Sequence, residues 1–149
     1  MLRQGGFLIS KIHQLSGRIF SRKLKAYNIN EINPAQGRVL FALWQNDNVS
    51  IQELAGKTSL GKSTLTRMLD RLEQSGHLLR VFPSEDRRKT LIQLTEENKK
   101  MKAAYEQVSL DMNELFYEGF QQSEIDEFEN YLVRILNTLD KYESQMRRK

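Results

Sequence analysis

The eight residues Gly56-Lys57-Thr58-Ser59-Leu60-Gly61-Lys62-Ser63 spell G-x-x-x-x-G-K-[ST], and what stands before them decides which of two folds the chain can adopt. In a phosphate loop the first glycine follows a buried strand of about five apolar residues, which delivers a turn of N–H groups onto a helix N-terminus. Here the preceding residues are Ser50-Ile51-Gln52-Glu53-Leu54-Ala55, an S-x-x-E capping box that opens a short amphipathic helix with Ile51, Leu54 and Ala55 inward. The chain also lacks the strand–helix alternation of a parallel sheet, and no apolar strand ends in an Asp that could hold magnesium. Nucleotide binding through 56–63 is the disfavoured reading. The same residues fit the turn and second helix of a helix-turn-helix.

The periodicity on either side extends that reading. Leu8, Ile12, Leu15 and Ile19 recur at helical spacing and predict a helix over 7–27 whose stripe faces a partner. Asn33-Pro34 with Gln36 forms a second capping box, and Val39, Leu40, Leu43 and Trp44 give its helix a buried face. A fourth helix runs from Gly61 to Gln74, with Leu65, Met68, Leu69 and Leu72 on one side and Gly76 as its left-handed stop. The period then shortens: Leu78 to Phe82 and Thr90 to Leu94 flank a polar turn and form the one convincing hairpin. Thr95 caps a long helix reaching about Gly119, and Ser123 caps the last. In that last helix Ile125, Phe128, Leu132, Ile135, Leu139, Tyr142 and Met146 recur at alternating threes and fours, a heptad seam that needs a partner. A second copy of the chain is the expected partner; packing on the chain's own first helix is the alternative.

Composition narrows the chemistry. With no cysteine the chain has no disulfide, zinc ribbon or thiol redox switch. Its two histidines, His13 and His77, cannot build a transition-metal cluster, so no metal or cofactor is expected. His77, just after the helix stop, is expected to face solvent. His13, beside the apolar stripe of the first helix, could line an effector cavity with Trp44, a structural role being the plainer alternative. The longest apolar run, Val39 to Trp44, cannot span a bilayer, and no signal-peptide stretch opens the chain; a soluble cytoplasmic location without a membrane partner is expected. Net charge is +4, divided as +4 over residues 1–56, +4 over 57–90 and −4 over 91–149. That asymmetry can turn a positive surface toward phosphate. No catalytic constellation stands out, and an enzyme is not expected.

At 100° per residue, Ser63, Arg67, Asp70 and Gln74 lie opposite the leucines of the fourth helix, flanked by Lys62, Thr64, Thr66 and Arg71. Small hydroxyls let a helix approach a DNA groove, and Arg67 can fork onto guanine O6 and N7. The basic hairpin tip Glu85-Asp86-Arg87-Arg88-Lys89 follows directly. Asp-x-Arg at a wing tip, then L-x-L-T and a long helix, resembles the winged helix-turn-helix of the MarR family of bacterial regulators. The stretch from Leu54-Ala55 to Gly76 is similar to that family's recognition region.

The resemblance implies a fold that is mainly α with one β-hairpin wing: a winged helix-turn-helix over 31–95, an N-terminal dimerisation helix over 1–30 and C-terminal dimerisation helices over 96–149. It implies a homodimer, with Ile12 of the first helix and the seam from Ile125 to Tyr142 in the interface, bound to double-stranded DNA at a pseudo-palindromic operator. Lys62, Ser63, Thr64, Thr66, Arg67 and Arg71 would then face the major groove. In the wing, Asp86 would orient the tip, Arg88 would enter the minor groove, and Arg87 and Lys89 would meet phosphate. A repressor released by a small aromatic or phenolic effector is the functional expectation. A winged-helix module that binds protein instead of DNA is the alternative.

Overall fold

A computed structural model describes residues 1–29, 32–83, 85 and 90–147. The elements are α1 (Gly5–Ala26), α2 (Pro34–Gln45), β1 (Val49–Ser50), α3 (Ile51–Thr58), α4 (Lys62–Gln74), β2 (Leu78–Val81), β3 (Leu91–Leu94), α5 (Glu96–Phe116) and α6 (Gln122–Arg147). The chain packs as two units, Met1–Met112 and Asn113–Lys149. No helix among the described residues is long and apolar enough to cross a membrane.

Local chemistry sets most boundaries of the first unit. Asn33 Oδ1 accepts from the Gln36 N–H at 2.8 Å while Gln36 Oε1 accepts from the Asn33 N–H at 3.1 Å, so α2 opens on a complete capping box. At α3 the box is only half made. Ser50 Oγ accepts from the Glu53 N–H at 3.1 Å, but the Glu53 carboxylate bonds the Ser50 hydroxyl, not its N–H. Ser50 also belongs to β1, where it pairs with Leu91. This two-residue strand has too few positions to show a period, and the sequence reading missed it. The sheet is antiparallel with three strands in the order β1-β3-β2, a hairpin plus a short edge.

Ser59 closes α3 in the left-handed region at φ +57, a conformation costly for a residue with a Cβ, and thereby turns the chain into α4. Gly56 sits inside α3 and directly follows helical residues, not a strand, so the phosphate-loop letters describe helix, turn and helix. At the end of α4, Gly76 takes φ +82 and the His77 N–H reaches back to Leu72 O at 2.9 Å. Thr95 caps α5 by accepting from the Asn98 N–H at 3.1 Å.

The core is drawn entirely from the first unit. Val39, Leu40 and Leu43 of α2, Leu54 of α3, Leu65, Leu69 and Leu72 of α4, Leu78 and Ile92 of the sheet, and Val108 of α5 are buried together, with Leu24 of α1. Gly37 lets α2 close on α5: a Cβ there would collide with the Tyr105 hydroxyl.

Two expected helix ends shift. Helix α5 stops at Phe116, and a turn through Gly119 at φ +82 follows. Ser123 lies within α6; the cap bond is instead made backwards, from the Gln121 N–H to Glu124 Oε1 at 2.9 Å. Within this second unit Phe128 lies against Phe116 and Tyr117. The Tyr117 hydroxyl donates to Glu129 at 2.7 Å; desolvation and that carboxylate push its pKa up to about 12. No residue of α6 is buried.

Candidate nucleic-acid interface

Helix α4 is anchored by one face and displayed by the other. Leu65, Leu69 and Leu72 are fully buried and Met68 packs against them. The opposite face carries Lys62, Ser63, Arg67 and Arg71, all exposed, with Thr64 and Thr66 half-buried at its margins. The Thr66 hydroxyl donates to Lys62 O at 2.8 Å. Among the described residues Lys62, Arg67 and Arg71 have no ion-pair partner.

The acids of α4 are occupied differently. Arg80 of β2 reaches back across the helix, with one guanidinium nitrogen 2.7 Å from Asp70 and another 2.7 Å from Glu73. Its backbone N–H adds a bond to Glu73 at 3.1 Å. This clamp ties the strand that leads into the wing to the flank of α4. It also neutralises both carboxylates, so the outward charge of the helix is cationic. Sequence reasoning had placed Asp70 on the exposed face without a partner and passed over Arg80. Partners ten and seven residues apart follow no helical or strand spacing, so only the tertiary register brings them together.

The wing residues Asp86, Arg87, Arg88 and Lys89 lie outside the described residues. The strands that carry the wing are in place, with Val81 opposite Leu91 at its base.

His13 and Trp44 have different surroundings. His13 is exposed on α1 and borders an open groove against Pro34. Trp44 is committed to the interior: its indole Nε1–H donates to Asn98 Oδ1 at 2.8 Å, and its ring lies tilted 4.5 Å from Tyr105. Burial raises the Tyr105 pKa well above the ordinary phenol value, with Arg38 opposing only in part. His77 corrects the expectation of a solvent-facing residue: it is buried, with Nδ1 3.0 Å from Asn98 Nδ2. Because Asn98 Oδ1 accepts from Trp44, its amide nitrogen faces His77 as donor and the imidazole Nδ1 is the acceptor. Gly76 forces the turn that carries His77 inward, a three-dimensional consequence that a terminal position in a helix does not reveal. Among the described residues no cluster of three metal-ligating side chains occurs.

The expected dimerisation residues are exposed or half-exposed. Ile12 is exposed on α1. On α6, Ile125, Phe128 and Leu132 are half-buried, and Ile135, Leu139 and Tyr142 are exposed.

Comparison with known proteins bears on this arrangement. The chain is 32% identical over 89 residues to the HTH-type transcriptional regulator FarR of Neisseria gonorrhoeae, an alignment covering 60% of this chain and 59% of that protein. It is 36% identical over 86 residues to the HTH-type transcriptional regulator TtmR of Methylorubrum extorquens, covering 58% and 43%. The chain thus spans about half the length of these curated relatives. A crystal structure of a MarR point mutant from E. coli in complex with operator DNA superimposes with a TM-score of 0.76 at 26% identity, covering 88% of this chain and 92% of that one. The MarR family model matches residues 32–90. That stretch runs from the start of α2 to the foot of β3 and contains the whole α4 surface. The protein is therefore a mainly helical chain with a small three-stranded antiparallel sheet, similar in fold to this winged-helix structure, whose residues 32–90 match the MarR family model.

Proposed function

We propose that this protein is a transcriptional regulator that binds double-stranded DNA sequence-specifically, as a homodimer, at a pseudo-palindromic operator. The observation that carries the reading is the two-faced α4: three buried leucines fix it, while Ser63, Arg67 and Arg71 stand exposed beside acids already neutralised by Arg80. A helix held this rigidly can enter a major groove without reordering. Lys62 and the hydroxyls of Ser63 and Thr64, at its N-terminal turn, meet phosphate and allow close approach. Arg67, one turn further in, reads a base edge; a bidentate bond to guanine contributes about 1–3 kcal/mol of discrimination. In the wing, Arg88 takes the adjacent minor groove, with Asp86 orienting the tip and Arg87 and Lys89 meeting phosphate.

The homodimer rests on α6, whose apolar seam has exposed members at Ile135, Leu139 and Tyr142. Two-fold symmetry would set half-sites about one helical turn apart. Selection of bound sites from random duplex DNA tests the whole reading: an enriched inverted repeat is the expected result. Arg67→Ala should then flatten preference at one position of each half-site. Failure to enrich any motif would overturn the proposal.

A further inference from the structure

The first thirty residues contain six Lys/Arg and no Asp or Glu, in a chain that has 19 acids. Within α1 itself no carboxylate cancels that charge. Three of its cations, Arg18, Arg22 and Lys25, fall on one face at spacings of four and three. They line an open groove of about 480 Å³ together with His13, Gly17 and Pro34. The groove exists because α1 and α2 approach closely: a Cβ on Gly17 would stand 3.6 Å from Pro34 Cγ. All three cations are exposed, and among the described residues none has an ion-pair partner. Arg80 and Arg147, by contrast, are both paired with carboxylates.

We propose that this groove is a second, sequence-independent contact for DNA, holding backbone phosphates of the bound duplex away from the base pairs read by α4. The inference rests on the DNA-binding reading above and extends it to a surface outside the helix-turn-helix. An enclosed small ligand is a poor occupant, since effector sites bury most of the ligand against apolar walls. This groove is open and walled by flexible cationic side chains, the chemistry that displaces counterions from a phosphate backbone. It belongs to the same packed unit as α4.

The test is the triple variant Arg18→Gln, Arg22→Gln, Lys25→Gln of the full chain, titrated against a duplex bearing the selected site and an unrelated duplex of equal length, across a salt series. Affinity for both duplexes should fall by the same factor. The slope of log affinity against log salt should become shallower by about 0.9 for each phosphate no longer neutralised, about 2.7 for each subunit and about 5.4 for a homodimer engaging both grooves. Arg67→Ala differs in kind, changing the ratio between the two duplexes. Unchanged affinity and slope in the triple variant, while the unaltered protein binds, would overturn the groove alone. So would loss of the dimer by sedimentation, which would assign the cations to subunit contact. An unaltered protein that binds neither duplex would overturn the DNA-binding reading, and the groove with it.

Discussion

Asn98 joins three elements through one side chain, which makes its removal a quantitative test of the packing described. It is fully buried on α5, accepts from Trp44 of α2 at 2.8 Å and donates toward His77, at the head of β2, at 3.0 Å. Asn98→Leu keeps the approximate volume and leaves the backbone bond to Thr95 intact, so the change isolates the amide. A net hydrogen bond contributes about 1 kcal/mol, and stranding a donor away from water costs about 1–3 kcal/mol. Trp44 is half-buried, so its indole N–H recovers part of that cost from solvent. The expected loss is about 2–3 kcal/mol of unfolding free energy in urea. The decisive quantity is the coupling. In a Trp44→Phe background the stranded N–H no longer exists, and Asn98→Leu should cost about 1–2 kcal/mol less than in the unaltered protein. Far-UV circular dichroism reads all four proteins. Trp44, as the sole tryptophan, gives a second readout in the two that retain it. Additivity within about 0.3–0.5 kcal/mol would refute the argument.

Three further outcomes follow from particular contacts. Arg80→Met should cost about 1–1.5 kcal/mol, since its two ion pairs end on substantially exposed carboxylates. Most of that loss should vanish at 1 M salt, where screening acts within about 3 Å; a salt-independent loss would assign the effect to packing alone. Gly37→Ala should destabilise by about 1–3 kcal/mol through the collision with Tyr105, although alanine is the better helix former, and Tyr105→Phe should restore part of it. A neutral or stabilised Gly37→Ala protein in urea would refute that close packing. Leu139→Lys alters a side chain 61% exposed in the single chain, so the fold should survive. The dimer should weaken at least about 100-fold by sedimentation, since each copy loses about 1.5–3 kcal/mol of buried leucine; unchanged assembly would exclude the seam.

Legibility from sequence followed the range of the interactions. The Asn33–Gln36 box, the Gly76 stop and the inward leucines of α4 are written in residues at most four apart, and counting at helical pitch finds them. The Gly56–Ser63 pattern was decided the same way, because the cap at Ser50 is as local as the motif itself. What escaped was non-local. The partnership of Arg80 with Asp70 and Glu73 depends on how β2 packs against α4, β1 is too short to display a period, and the inward course of His77 after the Gly76 turn shows only in three dimensions. Of the candidate site, the outward face of α4 was readable, whereas the clamp that makes its charge cationic was not.

The absence of any buried residue from α6 has a thermodynamic consequence. Most of the stability of a helix in a protein comes from packing its amphipathic face, not from its own hydrogen bonds. On the homodimer reading, the order of these 26 residues is therefore linked by mass action to protein concentration. Dilution should loosen the C-terminal helix before it disturbs the core between Leu24 and Val108. The amount of protein present would then set how completely its own last helix is folded, and with it the fraction of chains able to grip both halves of an operator.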